Sequence, residues 1–155
     1  MDNIYTSKKV EVLGVRKHTL TEWSFSLGVE VQKVPGQFVM VSLPGIGEVP
    51  ISISGFKDNS IELTIRNVGK VTSQICKIIS GDYLYIRGPY GNGFPLKEFE
   101  GKHLLLIAGG SALAPIKPLI ESYLSQSKSK LKMLDIIVGF RSPGYILFRD
   151  ELNQW

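Results

Sequence analysis

The chain changes rhythm once along its length. From Lys9 to about Arg87, apolar residues alternate with polar ones or gather in short runs, and turn residues interrupt them roughly every 8–12 positions, the spacing of a barrel or sandwich. Val10, Val12 and Val15 open the series, and Trp23, Phe25 and Leu27 alternate with Ser24 and Ser26. Phe38 to Leu43 follows the turn Pro35-Gly36, and Pro50 to Ser54 reads as a further short strand. Ile61, Leu63 and Ile65 alternate with Glu62, Thr64 and Arg66, which predicts a strand with one dry face. Gly81-Asp82 opens the last, Tyr83 to Arg87. About six strands result, with no parallel-sheet helix between them. Thr72 to Ile79 could form one short helix.

Near Phe99 to Lys102 the pattern shifts. His103 to Ala108 is apolar without alternation, which predicts a strand covered on both faces; it runs into Gly109-Gly110, and Pro115 to Leu124 reads as a helix. After the polar loop Ser125 to Lys132, Met133 to Phe140 is a second apolar strand. Strand, helix, strand is a βαβ unit whose crossover should be right-handed. The expected architecture is a six-stranded antiparallel Greek-key β-barrel over residues 1–100, followed over 101–155 by the first part of a parallel α/β nucleotide-binding domain. Its sheet is expected to be unfinished where the sequence reaches Trp155. Length agrees, since 155 residues at 43% hydrophobic can bury one ordinary core but are tight for two complete domains.

Composition removes several classes of chemistry. No apolar run approaches the roughly 18 residues of a membrane helix, and Met1 to Lys9 is polar, so a cytoplasmic protein is expected. The single cysteine, Cys76, excludes an internal disulfide framework and any cluster built from several thiolates of this chain; it reads as a small buried hydrophobe. The net charge of +4 is spread over separated lysines and arginines. That reads as a solvated surface compatible with anionic nucleotides, not a nucleic-acid stripe. His18 and His103 lack sequence-near ligand partners, and no Ser, His and Asp arrangement or metal-binding helix motif is visible. The chemistry must come from a cofactor.

Three segments could hold one. Ala108-Gly-Gly-Ser-Ala-Leu-Ala-Pro115 places a glycine pair between a buried strand and a helix, where absent side chains and free N–H groups admit a phosphate-bearing ligand; alone, it is also a plain tight turn. Gly69-Lys-Val-Thr-Ser73 supplies glycine, backbone donors, hydroxyls and the Lys70 charge, an anion nest if Thr72 or Ser73 is more than a helix cap. In Pro50-Ile-Ser-Ile-Ser54 the hydroxyls of Ser52 and Ser54 share one strand face and could hydrogen-bond a planar ring, although an edge strand would look the same. Gly88-Pro-Tyr-Gly-Asn-Gly-Phe94 reads as consecutive turns.

Together and in this order, these segments resemble the ferredoxin–NADP reductase superfamily, in which a flavin-binding barrel precedes a nicotinamide-nucleotide domain. Pro50-Ile-Ser-Ile53 is similar to the flavin-contacting strand, Gly69 to Ser73 to the flavin pyrophosphate loop, and Gly88 to Phe94 to the barrel's closing loop. Ala108-Gly-Gly, Ala114-Pro115, Gly139-Phe-Arg-Ser-Pro143 and Leu147-Phe-Arg-Asp-Glu-Leu152 resemble the nucleotide domain. Glu48 to Ser54 and Ala114-Pro-Ile-Lys-Pro118 look most like the electron-transfer (B-type) subunits of anaerobic sulfite reductase and the gamma subunits of sulfhydrogenases, with dihydroorotate dehydrogenase electron-transfer subunits as near neighbours.

The resemblance implies electron transfer between NAD(P)H and a partner redox subunit through FAD and then a [2Fe–2S] cluster, whose cysteine-rich segment this sequence lacks. It places Pro50, Ile51, Ser52 and Ile53 at the flavin, Gly69, Lys70, Val71, Thr72 and Ser73 around its pyrophosphate, Gly109, Gly110 and Ser111 beside the nicotinamide in a partial NAD(P)H site, and Arg141 near the adenosine half. The family often has arginine before the strand's proline; Val49 stands there, which leaves a charged phosphate contact to Arg66 or Lys70. No residue is singled out as catalytic, and the parent class is oxidoreductase. The competing classes are a module that binds flavin, nucleotide or a partner chain without redox turnover, and an ordinary translation-factor-like barrel, which would leave the Gly109-Gly110 unit unexplained.

Overall fold

The computed structural model describes residues 5–125 and 131–155, so most of the expected serine–lysine loop lies outside the described residues. Strands β1 (Lys8–Lys17), β2 (Glu22–Leu27), β3 (Phe38–Leu43), β4 (Gly47–Lys57), β5 (Ser60–Arg66) and β6 (Tyr83–Tyr90) close into an antiparallel barrel in the order β1-β2-β5-β4-β3-β6, a Greek-key path. The period-two pattern explains the closure. Val10, Val12, Phe25, Leu27, Val39, Val41, Ile61, Leu63, Ile65, Leu84 and Ile86 all turn inward and share one core. Burying each such side chain contributes about 1.5–3 kcal/mol.

Register shifts interrupt simple alternation at three places, one of them between Phe38 and Met40 where β3 meets β6. In β1 the register shifts between Val12 and Gly14, so Val15, grouped by sequence with Val10 and Val12, stands opposite the core residue Phe25 but is itself 36% exposed. In β4 the shift falls between Ile53 and Gly55, and the strand changes partner there: residues 47–52 pair with β3 and residues 53–57 with β5. The segment Pro50 to Ser54 is therefore the middle of a long barrel strand, not an edge strand of its own. Pro50, with no N–H to give a ladder, sits in the half that has one partner strand.

Helix α1 (Lys70–Ile75) follows β5 and packs on β3 and β4. It begins two residues before the Thr72 start read from sequence and ends at Cys76, leaving Ile79 exposed outside it. Cys76 is half-buried against the barrel core, and burial pushes its thiol up to about 11, as expected of an inert packing cysteine. The Gly88 to Phe94 turns close over the end of β3: Gln37 Nε2 donates to the Gly91 carbonyl (2.8 Å), and the Phe94 amide to the Pro35 carbonyl (2.9 Å).

Beyond the barrel, β7 (His103–Gly109) and β8 (Met133–Gly139) pair in parallel, in register from His103 opposite Met133 to Gly109 opposite Gly139. A 3-10 turn, Gly110–Ala112, leads into α2 (Leu113–Leu124), which starts two residues before Pro115. Leu106, Ala108, Ile136 and Val138 share a second core with α2 and with Leu147, Phe148 and Trp155 around α3 (Arg149–Leu152). The opposite face is bare: Leu105, Ile107 and Ile137 are 54%, 66% and 55% exposed. The non-alternating composition of these strands predicts cover on both faces, and among the described residues only one face has it. No helix of the described residues is long and apolar enough to cross a membrane.

Candidate functional site

The strand expected at a flavin presents Pro50 and Ser52, while Ile51 packs against the barrel core opposite Val39. Met40, Val39 and Phe38 of β3 pair with Pro50, Ile51 and Ser52; Pro50 is exposed, and Ile51 and Ser52 are half-buried. Ile53 is different, because its side chain is fully buried in the barrel core and its N–H donates to the Gln37 carbonyl (3.0 Å). Ser54 does not share an open face with Ser52. At the β4 bulge its hydroxyl is fully buried and donates to the Glu62 carbonyl (3.1 Å), so it is spent inside the protein. Val49 packs against the core, and the neighbouring Arg87 holds Glu48 through Nε (2.9 Å) and Nη2 (2.7 Å) and the Tyr90 hydroxyl through Nη1 (3.0 Å). That guanidinium is engaged locally and keeps the Glu48 carboxyl below the usual range.

The Gly69 to Ser73 loop lies beside the same half of β4, close enough that a Cβ on Gly47 would come within 2.9 Å of Val71 Cγ2. Ser73 N–H donates to the Gly69 carbonyl (2.9 Å), the first turn of α1, so the amides of Lys70, Val71 and Thr72 precede the helix's own hydrogen bonds. Thr72 is buried. Its hydroxyl accepts the Val68 and Gly69 amides (3.0 Å each) and donates to the Gly69 carbonyl (3.1 Å). Thr72 thus shapes the loop from beneath, and the open groups are backbone N–H and Lys70. A Cβ on Gly69 would meet nothing within 4 Å, so open space lies beside that backbone.

The glycine turn stands at the carboxyl end of the parallel pair, where open α/β sheets bind ligands. Gly110 has φ +52°, a left-handed conformation that favours glycine, and neither it nor Gly109 has an atom closer than 4.0 Å to a Cβ position. Arg141 is exposed two residues beyond Gly139 at the same end, its guanidinium 5.8 Å from the Tyr145 ring centroid. These open backbones leave room for a flat, phosphate-bearing cofactor to approach, a clearance that the surface turns at Gly45 and Gly81 share. Among the described residues no cluster of histidine, cysteine or carboxylates could hold a metal.

What the sequence pattern did not single out is a polar seam joining barrel and βαβ unit. Glu22, 4% exposed, accepts the Thr21 hydroxyl (2.8 Å) and the Thr19 hydroxyl on Oε2; its Oε1 accepts Ser111 Oγ (3.0 Å) and lies 3.6 Å from Arg66 Nε. Arg66 at the end of β5 and Ser111 beside the glycine turn are brought together on this one carboxylate. Further along, His18 Nε2 and Ser24 Oγ are 2.7 Å apart, Ser24 and Thr64 hydroxyls 2.8 Å, and Thr64 donates to Ser54 (2.8 Å). Lys117 of α2 then reaches Glu62 (3.3 Å), Glu121 (2.9 Å) and the Ser54 carbonyl (3.2 Å). Burial opposes the Lys117 charge, but the two carboxylates outweigh it and its pKa lies above the ordinary value. Phe148, fully buried at φ 55°, packs edge-on to His18 with centroids 4.9 Å apart. On the rim, Arg16 pairs with Asp150 (2.8 Å) and Glu151 (2.6 Å).

No protein-family model matches the chain. It is 39% identical over 158 residues to sulfhydrogenase 2 subunit gamma of Pyrococcus furiosus, covering 97% of this chain and 54% of that protein. It is 40% identical over 122 residues to the probable dihydroorotate dehydrogenase B (NAD(+)) electron transfer subunit of Pyrococcus abyssi, covering 73% and 47%. Among solved structures, the ferredoxin-NADP+ reductase of Plasmodium falciparum superposes with a TM-score of 0.81 at 14% identity over 98% of this chain and 66% of that one, a likeness of fold. The chain spans about half the length of the curated relatives it matches.

Proposed function

The chain is a homologue of the sulfhydrogenase gamma and dihydroorotate dehydrogenase electron-transfer subunits with a ferredoxin–NADP reductase-like fold, and on that premise we propose that it is the flavin-holding portion of such a subunit. The reading divides the chain at about residue 100 into a flavin barrel and the first part of a nucleotide-binding domain. One observation carries it. The clear backbones of Gly69, Gly109 and Gly110 lie on two elements that the Arg66–Glu22–Ser111 contacts join.

Bound FAD would supply the electron-carrying chemistry between NAD(P)H and a redox partner subunit. Pro50, Ile51 and Ser52 would flank its ring, with the Ser52 hydroxyl as a hydrogen-bonding group, while Ile53 supports the strand from the core. The amides of Lys70 and Val71, with the Lys70 and Arg66 charges, would hold the pyrophosphate; Thr72 and Ser73 set the loop. Gly109 and Gly110 would admit the nicotinamide, and Arg141 the adenosine half. The chain's work is to bind, orient and exclude water. The sequence contains one cysteine, so a [2Fe–2S] cluster of the parent complex would be held outside these residues. The setting we propose is cytoplasmic, within a multi-subunit reductase or hydrogenase, and the bare face of β7 and β8 is a surface for self-association.

A module without redox turnover is the second reading, favoured by Val49 and by the inward commitment of the Thr72 hydroxyl. Titration with FAD, FMN and riboflavin, followed by visible absorbance, separates the first reading from a module that holds a partner chain and no flavin. FAD is expected to bind more tightly than FMN, because the Gly69 to Ser73 loop engages a pyrophosphate that FMN lacks. Equal affinity for FAD and FMN, or no flavin binding, would favour the second reading.

A further inference from the structure

A carboxylate as buried as that of Glu22 is stable only when it is paired and hydrogen-bonded. Its two oxygens do different things. Oε2 is satisfied locally by Thr19 and Thr21 in the β1–β2 turn, as is the Glu22 amide, which donates to Thr19 Oγ1 (3.0 Å). That local set needs nothing from the rest of the molecule. Oε1 instead meets Arg66 Nε at 3.6 Å and accepts Ser111 Oγ at 3.0 Å, from a residue 89 positions away. Arg66 lies three residues before Gly69, and Ser111 directly follows Gly110. A single oxygen atom therefore ties the approach to the anion loop to the glycine turn.

We propose that Glu22 is a positioning residue: anchored by the threonines, it aims the Arg66 guanidinium toward the phosphates of a bound dinucleotide cofactor and holds the Gly109–Ser111 turn at a fixed place against the barrel. The phosphate arm of this inference rests on the flavin reading above; the holding of the turn does not. The anchoring explains the asymmetry of the site. A half-exposed arginine would otherwise sample many rotamers, and the ion pair at 3.6 Å, made through Nε without a hydrogen bond, biases it toward the one that leaves its terminal nitrogens free for an anion. Support of this kind by residues on rigid elements keeps a ligand site in register.

The test uses Glu22→Gln, which keeps shape and an accepting oxygen but loses the charge, alongside Arg66→Ala, the double variant and Glu22→Ala. In equilibrium titrations, Glu22→Gln is expected to weaken FAD about tenfold and leave riboflavin, which has no phosphate, unchanged. Arg66→Ala should cause a similar loss, and the double variant no more than the larger single one. Without any flavin, Glu22→Ala should raise amide hydrogen exchange at residues 109–112 at least about tenfold while β3 is unaffected. Equal losses for both flavins, tighter FAD binding, or additive losses would overturn the aiming of Arg66. Unchanged exchange at 109–112 would overturn the holding of the turn. If the native chain bound neither flavin, the aiming of Arg66 would fall with the functional reading, and the exchange measurement would still decide the turn.

Discussion

Replacing Lys117 by methionine tests whether charge, not apolar contact, seats the βαβ unit on the barrel. Methionine keeps most of the stem, so the packing of α2 is retained and the ammonium alone is lost. Left behind are the Glu62 carboxylate, the Glu121 carboxylate and the Ser54 carbonyl, which Lys117 meets at 3.3, 2.9 and 3.2 Å. Breaking a buried pair costs about 3–5 kcal/mol. The Glu62 and Glu121 side chains are 20% and 40% exposed and can partly rehydrate, which puts the expected loss near the lower end, about 3 kcal/mol. Tryptophan fluorescence separates the two parts, because Trp23 packs on the barrel core and Trp155 on the second core. In urea, single-tryptophan versions (Trp23→Phe and Trp155→Phe) of the native chain should unfold together. With Lys117→Met the Trp155 transition should move down by about 2 M at an m-value near 1.5 kcal/mol/M, while the Trp23 transition stays. Adding Glu62→Gln, which removes the stranded charge, should recover most of the loss. Two transitions that move together, or a double variant no better than the single, would refute the argument.

Acidification should reach the same seam first at His18. Burial lowers its pKa below the ordinary 6.5, Arg16 adds to this, and Glu62 and Glu151 oppose it. The folded state thus prefers neutral imidazole, so its contribution is full above about pH 6.5 and is lost as pH falls through the lower folded value. Glu48 and Glu151, whose pKa values are held below 4.5, lose theirs only in more acid solution. Stability measured from about pH 7 to 5 should decline by less than about 1.4 kcal/mol per unit, and His18→Gln should flatten that slope; an unchanged slope would place the titrating group elsewhere. Thr72→Ala should cost about 1 kcal/mol of stability through the lost cap and weaken FAD more than riboflavin, and equal losses in titration would mean the loop does not meet the pyrophosphate. Leu105→Lys with Ile137→Lys should reduce self-association seen by light scattering, and a native chain that is already a monodisperse monomer at matched concentration would remove the need for that face to associate.

The barrel was legible because its signal is local. Alternation at Phe25 and Leu27, and at Ile61, Leu63 and Ile65, assigns each residue to a face without reference to any partner. The bulges were not legible: one extra residue at Gly14 or Ser54 reverses the facing of the residues after it, so Val15 stands opposite Phe25 and Phe56 opposite Ile61, while Ser54 stays on the outward side. Boundaries of α1 and α2 moved by two residues because Gly69 and the 3-10 turn at Gly110, not the first threonine or proline, begin them. In the βαβ strands, composition spoke for two covered faces, but burial follows neighbours, and among the described residues only the face toward α2 has them.

The seam escaped for a different reason. Glu22, Ser24, Thr64 and Ser54 sit on the outward face of barrel strands, where polar residues are ordinary until something packs over them. One cue was present: β2 is buried on both faces, with Phe25 and Leu27 inward and Glu22 and Ser24 outward, and its outward polar residues are small or able to pair. Lys117 offered another, a lysine inside the otherwise apolar stretch Leu113 to Ile120 of α2. Such a seam gives less stability per area than leucine and isoleucine would, because every buried charge must first lose its water. It gives direction instead. Apolar surfaces can slide past one another at little cost, whereas Ser111 on Glu22 and Lys117 on Glu62 are satisfied in one arrangement. The two half-sites we propose, the Gly69 loop on one core and the Gly109-Gly110 turn on the other, would require that kind of fixing, since a displacement of about 1 Å between them would separate groups meant to meet the same cofactor pair.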